Sequence, residues 1–537
     1  MNPRFSLCNH VTELPGRAVT DNPLVQIMKQ EVFGSRLTMM LAMLGMAVGT
    51  GNIWRFPRIA AKNGGGEFLI AWVVFLFLWS IPLILLEFGF GRKTRRGPIQ
   101  TFMTVMGPRW VWMGVFVVWV TTAITFYYSV VAGWTFRFAL ASGTGELSDT
   151  RLGEFWNDYI SSAWPLVTHI FAIGTAIFVV ARGVTWIERV TKVLMPILLV
   201  LILVLVVRAV TLPGANEGLS YLFSVDWANL SDPKLWVEAL IQNAWDTGAG
   251  MGLVLCFAAY LREREDTALN GYILPAANNT VSLLAGIMVI CTVFSVVPTL
   301  VDDLATDPQA LDAYPQLAAA VQNGETLSAS VVQETIFKQN NEGLTFIWMP
   351  RLFDALPYGQ FFMLLFFLAL SFAAFTSLIA MIELPVRSLV DAGIERSRAA
   401  RIIGGTILVL GLPSVAWMSV LKNQDWVWGV GLMVSGLFFA IAAIRYGVQR
   451  LRKEQLNHED SDVKIGAWWD IVIACLVPIE AIVLLVWLLY ESSIDNADWW
   501  QPFSEYNVGT VLFQFAIVIG MLILLNRWIA GRHSGSA

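Results

Sequence analysis

The 537-residue chain is 56% hydrophobic and 14% charged, with a mean hydropathy of +0.62 and a net charge of −5. A soluble domain carries charge nearer ~25%, so the composition excludes a water-soluble enzyme or nucleic-acid binder and implies a polytopic membrane protein. Cys8, Cys256, Cys291 and Cys475 form no close pair and His10, His169, His458 and His533 are scattered, which gives neither a disulfide framework nor a metal cluster.

Residues 1–34 are polar, contain prolines and lack the compact apolar core of a signal peptide. They read as a cytoplasmic tail, with Lys29 to Arg36 as its approach to the membrane. Apolar runs of about 20 residues can cross the ~30 Å hydrocarbon core. Twelve are predicted, at 37–60, 67–91, 108–140, 163–181, 186–212, 235–261, 272–298, 356–391, 398–420, 425–450, 465–491 and 505–530. Short loops rich in Lys and Arg, among them Arg92 to Arg96, Arg262 with Arg264, and Arg396 to Arg401, all fall on one side. The other side carries acids such as Glu146, Asp149, Asp302, Asp303, Asp307 and Asp312. The basic side is therefore expected to be cytoplasmic, with both termini inside. The segment 299–355 exceeds ordinary loop lengths and is predicted to fold as a helical hairpin over an outer vestibule.

The first span contains Leu44-Gly-Met-Ala-Val-Gly-Thr-Gly-Asn-Ile-Trp-Arg-Phe-Pro57. Each interior glycine costs a helix roughly 1 kcal/mol relative to alanine, and Gly45, Gly49 and Gly51 fall within seven positions, followed by Asn52. Unwound backbone at membrane depth persists only where protein or a polar cavity satisfies it, so a broken helix facing a site is predicted. The alternative is a glycine-lined helix contact. The sixth span repeats the pattern in Gln242-Asn-Ala-Trp-Asp-Thr-Gly-Ala-Gly-Met-Gly252. Interrupted segments at corresponding positions of two five-helix halves point to a transport site. Asp246 lies in this second break, and an intramembrane carboxylate is a functional candidate by default. Glu87 and Glu383 meet the same criterion, with a structural acid bonded to backbone amides or a hydroxyl as the alternative. Thr376 and Ser377 in the eighth span are either hydroxyls bonded back to their own helix or cation ligands.

Gly45 to Pro57, followed by Asn63-Gly-Gly-Gly-Glu-Phe68, closely resembles the signature of the neurotransmitter:sodium symporter family. Tyr127-Tyr128, Trp134, the break near Gly250, and Ala373 with Thr376-Ser377 are similar to the same family, and the resemblance covers about residues 29–450. It implies an all-α membrane protein of the LeuT-type fold, with twelve transmembrane helices, a 5+5 inverted repeat and broken helices 1 and 6. The implied organisation is a tail 1–34, a first repeat 35–212, a second repeat 213–452 containing the loop 299–355, and a final pair of spans in 453–537. The implied location is the cell's inner (plasma) membrane, and the implied function is sodium-driven symport by alternating access, not enzymatic catalysis.

Carried over by position, the resemblance implies two sodium sites. One takes Ala47, Asn52, Asp246 and Asn278. The other takes Gly45, Val48, Ala373, Thr376 and Ser377. An amino-acid carboxylate would meet Thr50, Gly51 and Tyr128, and its ammonium the carbonyls of Ala47 and Trp245. The remaining pocket would be formed by Met46, Gly49, Ile124, Trp245, Gly248, Met251, Ser377 and Met381. The outer gate would be Arg55 with Asp425, and the inner gate Asp391 with Lys29 or Arg36. The family's anion site corresponds to Gln242, Asp246, Asn278 and Ser282. Asp246 there stands in for chloride, which makes chloride dispensable; if its carboxyl takes up a proton on the empty return step, proton antiport follows. With Gly49 offering no acid to hold a lone amine, a neutral hydrophobic L-amino acid is the expected substrate. Another small zwitterion such as a betaine or β-amino acid, or a sensor with little transport, is the alternative. The partners implied are the amino acid, sodium and the lipid bilayer; no nucleic acid is implied, and monomer and dimer both stay open.

Overall fold

The computed structural model describes residues 31–148, 152–306, 310–311, 314–322, 327–459, 461–495 and 498–534. The described helices all belong to the compact unit Val32–Ala537. Lys29, Asp149, Asp307 and Asp312 lie outside the described residues. Among the described residues there are helices and no strands. Among the described residues nine helices are long and apolar enough to cross a membrane, or eleven if each of two bent pairs is one span. The expected sixth span falls outside that count because its break leaves halves of 15 and 6 residues, Pro233–Thr247 and Leu253–Ala258.

The first span breaks where expected, but more tightly. Arg36–Ala47 is α-helical, started by a capping box in which Ser35 Oγ accepts from the Thr38 N–H. Gly51–Arg55 forms a π-helical turn that runs into Phe56–Lys62, and the two halves meet at 53°. The interruption is therefore Val48 and Gly49, with Thr50 already in helical conformation. Gly45 stays inside the helix and is a contact glycine, since a Cβ there would lie 3.1 Å from both Met195 Sδ and Thr376 Cβ. In the sixth span Gly248, Gly250 and Gly252 take φ of +66°, +89° and +77°, the left-handed region that other residues adopt only with strain. Sequence spacing had located both breaks; it could not separate a glycine that unwinds the chain from one that lets a neighbouring helix approach.

The sixth break is stapled by side chains from other spans. Glu87, fully buried in the second span, accepts the N–H groups of Gly250 at 2.7 Å and Leu255 at 2.9 Å. Thr121 Oγ1 donates to the Met251 carbonyl at 2.8 Å. Glu383 accepts from Tyr260 OH at 2.5 Å and from Arg396 Nη1 at 2.8 Å. Glu87 and Glu383 are thus the structural acids allowed for by the alternative reading. The segment 299–355 contains the helices Pro315–Gln322, Ala329–Lys338 and Met349–Asp354. It is tied to the first span by Arg58, which donates to Asn341 Oδ1 at 2.8 Å and to the Gln339 carbonyl at 3.2 Å.

An unsatisfied buried donor costs about 1–3 kcal/mol, and Glu87 satisfies two. We expect Glu87→Ala to lower the thermal midpoint of the purified protein by roughly 5 °C or more, and Glu87→Gln, which keeps one acceptor, by about half as much. An unchanged midpoint for the alanine variant would show that the sixth break is held by something else.

Candidate functional site

The two breaks face each other across a cavity of about 70 Å³, lined among others by Met46, Ala47, Gly49, Thr50, Gly51, Asn52, Tyr128, Trp245, Gly248, Met251, Ser377 and Met381. The expected pocket residues are thus brought together, with one correction. Ile124 is fully buried and is not part of this lining. Tyr127, Tyr128 and Val131 of its helix supply the wall one turn or more further along. Trp54, Val131, Leu253 and Asn341 also line it and were not anticipated; Asn341 comes from the long loop, whose fold determines where its tip points.

A hydroxyl and three carbonyls meet at the end of the Arg36–Ala47 helix. Ser377 Oγ lies 3.3 Å from the Gly45 carbonyl oxygen and 3.2 Å from those of Met46 and Val48. A serine has one proton to donate, so acceptors outnumber donors at this point, and the carbonyl end of a helix adds negative potential. Thr376 Oγ1 instead donates back to the carbonyls of Phe372 at 2.9 Å and Ala373 at 3.2 Å. An oxygen-only cluster short of protons is what a hard cation requires; Ser377 with the carbonyls of Gly45 and Val48 meets that description, while the Thr376 hydroxyl is bonded back to its own helix at Phe372 and Ala373. Tyr128 OH accepts the Thr50 N–H at 3.2 Å, leaving its phenol proton for a second partner.

The second cluster is organised by Asp246, which is 1% exposed. Its carboxylate accepts from Gln242 Nε2 at 2.8 Å and from Ser282 Oγ at 3.0 Å. Asn52 Nδ2 donates to Asn278 Oδ1 at 3.0 Å and Ser282 Oγ at 2.8 Å, while Asn52 Oδ1 accepts the Gly49 N–H at 2.8 Å. Gln242, Asn278 and Ser282 are fully buried. No basic side chain among the described residues forms an ion pair with Asp246 within 4.0 Å. The expected anion-site residues and the first sodium-site residues are therefore one continuous network containing a single carboxylate with neutral partners.

Of the expected gate residues, Arg55, Asp425, Arg36 and Asp391 are described, and Lys29 lies outside the described residues. Arg55 and Asp425 both line the central cavity and a larger one of about 300 Å³ beyond it, but they form no ion pair. The Arg55 guanidinium lies over the Trp245 ring, 5.4 Å from its centre. That ring fits only because residue 429 is glycine, whose Cβ would be 2.9 Å from Trp245 Cζ2. The partition between the two cavities is therefore a cation–π stack. At the basic end Arg36 pairs not with Asp391 but with Glu265 at 3.5 Å, and it donates to Asn270 Oδ1 at 3.2 Å. Asp391 binds Arg387 at 3.1 Å, Arg96 at 3.5 Å and the Gly97 N–H at 2.6 Å. Glu188 accepts the Gly34 N–H at 2.7 Å and Thr38 Oγ1 at 2.5 Å. The register of the first span directs Arg36 toward the loop before the seventh span, a direction that spacing alone did not define.

A family model described as the sodium:neurotransmitter symporter family matches residues 30–164 and 158–530. An uncharacterized sodium-dependent transporter of Methanocaldococcus jannaschii is 27% identical over 536 residues, covering 94% of this chain and 99% of its own. An uncharacterized sodium-dependent transporter of Bacillus subtilis is 27% identical over 483 residues, covering 85% and 97%. The crystal structure of MhsT in complex with L-phenylalanine is similar with a TM-score of 0.69 at 27% identity, covering 85% of this chain and 99% of that one.

The oxygen cluster around Ser377 is expected to bind sodium. Replacing choline chloride by sodium chloride should raise the thermal midpoint of the wild type; a cation present at about 100 times its dissociation constant adds ~2.7 kcal/mol. The double variant Thr376→Ala, Ser377→Ala should lose sodium-stimulated ligand binding. If it kept the sodium dependence of the wild type, the cluster would not be a cation site.

Proposed function

The chain belongs to the sodium:neurotransmitter symporter family, and from that premise we propose that it imports a neutral, hydrophobic L-amino acid together with sodium by alternating access. The observation that carries this reading is Asp246: a buried carboxylate with neutral partners, set in the break of one span and joined by hydrogen bonds to the break of another. A carboxylate at bilayer depth costs at least ~2.5 kcal/mol, and a cation bound at Asp246, Asn52, Asn278 and the Ala47 carbonyl offsets that cost. A ligand shifts a conformational equilibrium only by its differential affinity for the two states. Sodium bound between the first span and the sixth and eighth does this by holding together elements that must separate for the site to open the other way.

The substrate assignment rests on what surrounds the cavity. Gly49 has no acid for a lone amine, and a Cβ there would lie 3.0 Å from both Ser377 Oγ and Tyr128 OH, so a larger residue enters only if these hydroxyls shift. An α-carboxylate would take the Tyr128 phenol proton and the amides of Thr50 and Gly51. Met46, Met251 and Met381 make an adaptable apolar wall, and Gly248 leaves room beside Trp245. The likeness to MhsT bound to L-phenylalanine supports the same class. L-Phenylalanine is therefore expected to compete with uptake of a labelled hydrophobic amino acid, and phenethylamine, which lacks the carboxylate, is not. The reverse order would refute the assignment.

Chloride is not required in this reading, because Asp246 supplies its charge covalently, held by Gln242 and Ser282 where an anion would otherwise be needed. Uptake by the wild type should be the same in sodium chloride and sodium gluconate. Asp246→Ser should be chloride-stimulated or inactive. A wild type that stops transporting in gluconate would show that Gln242, Asn278 and Ser282 still hold a chloride.

A further inference from the structure

The sodium site is continuous with a chain of buried amides that the proposed function leaves unexplained. The Gly49 N–H donates to Asn52 Oδ1 at 2.8 Å, Asn52 Nδ2 to Asn278 Oδ1 at 3.0 Å, Asn278 Nδ2 to Asn279 Oδ1 at 3.3 Å, and Asn279 Nδ2 to Asn243 Oδ1 at 3.4 Å. Asn243 Nδ2 then donates to the carbonyl of Trp72, just before the second span widens into a π-helical turn at Leu76–Ser80. All four asparagines are at most 4% exposed. Two of them, Asn243 and Asn279, belong to neither sodium cluster, and Asn279 reaches the first only through Asn278.

The two ends of this chain differ in kind. A backbone N–H can only donate and a backbone carbonyl can only accept. An amide side chain donates from nitrogen and accepts at oxygen. With an obligate donor at Gly49 and an obligate acceptor at Trp72, every amide between them has one orientation that satisfies both neighbours. Turning Asn278 over would set its nitrogen against Asn52 Nδ2 and its oxygen against Asn279 Oδ1. The hydroxyls that join the far end adapt to this direction: Ser80 Oγ donates to Asn243 Oδ1 at 2.9 Å, and Thr247 Oγ1 donates to Ser80 Oγ at 2.9 Å.

We propose that Asn243 and Asn279 are positioning residues for sodium: from the sixth and seventh spans they fix the direction in which Asn278 and Asn52 present amide oxygen, rather than nitrogen, to the ion. The assignment rests on the sodium reading of Asn52, Asp246 and Asn278. Without the acceptor at Asn243, or with Asn279 truncated, the Asn278 amide is free to turn its nitrogen toward the cation. Sodium binding then falls while the substrate cavity, lined by other residues, is kept.

The test is binding of radioactive sodium to the purified protein, with the sodium dependence of labelled L-phenylalanine uptake in proteoliposomes alongside. Asn279→Ala and Asn243→Leu should each raise the half-saturating sodium concentration roughly ten-fold or more, the scale seen when partners of metal ligands are lost. Maximal uptake at saturating sodium should stay within about two-fold of wild type, because the substrate contacts are intact. Asn243→Asp, which still accepts from Asn279, should restore most of the sodium affinity. A wild type that binds no sodium would overturn both this proposal and the reading beneath it. A wild type that binds sodium, with unchanged half-saturation in Asn279→Ala, would overturn the positioning role alone. So would variants that lose maximal uptake at unchanged half-saturation, or an Asn243→Asp protein no better than Asn243→Leu. Should the leucine variant fail to fold, Asn279→Ala on a different helix decides the outcome.

Discussion

Every part of this structure answers to the requirement that backbone N–H and C=O groups released inside a bilayer be satisfied without water. The two breaks answer it in opposite ways. At the sixth span the freed groups are largely donors, and Glu87 takes two of them from the second span. At the first span the freed groups near Ser377 are carbonyls, and one hydroxyl proton is shared among three of them. At the sixth break these backbone groups are met by protein side chains, whereas the first keeps a surplus of backbone oxygen. That asymmetry places the demand for a cation beside the first span.

The same distinction separates the intramembrane acids. Glu87 is consumed by backbone donors and Glu383 by Arg396 and Tyr260. Asp246 is held by the side-chain donors Gln242 and Ser282, so its charge, unlike that of Glu383, is oriented without a basic side chain in ion-pair contact. Its network joins the sixth span to the first and seventh through Asn52 and Asn278. A charge balanced there by a mobile ion couples that ion's presence to the relative position of three helices.

The two ends of the site are closed by different means. On the cation-poor end the barrier is a guanidinium on an indole, Arg55 over Trp245, with the loop tip at Asn341 tied by Arg58. On the basic end the start of the first span is held by Glu188 through Gly34 and Thr38 and by Glu265 through Arg36, and Phe33 packs edge-on to Tyr260. A cation–π contact at a partly exposed site is worth about 0.5–1 kcal/mol. Several charge-assisted hydrogen bonds, each ≈1.5–3 kcal/mol, hold the basic end. The end nearer the larger cavity has charge-assisted hydrogen bonds of its own, from Arg58 to Asn341 and to the Gln339 carbonyl.

Composition and local pattern by themselves determined that the chain is a helical membrane protein, where its spans lie, and that the first and sixth are broken, because hydropathy and interior glycine act over a few neighbouring residues. They also picked out Asp246, Asn52, Thr376 and Ser377, since polar groups are costly at membrane depth wherever they fall. Tertiary structure decided everything that depends on which helix faces which. Gly45 proved to be a contact against Met195 and not part of the break, and Ile124 fell behind the cavity wall. Arg36 found Glu265 in place of Asp391, and Arg55 found an indole in place of Asp425. Asn243 and Asn279 carry the same cost at depth as their neighbours Gln242 and Asn278, yet their meaning lies in a hydrogen-bond direction that runs through four helices. Direction in such a chain is set by its two ends, Gly49 and Trp72, which are far apart in sequence and adjacent only in the folded molecule.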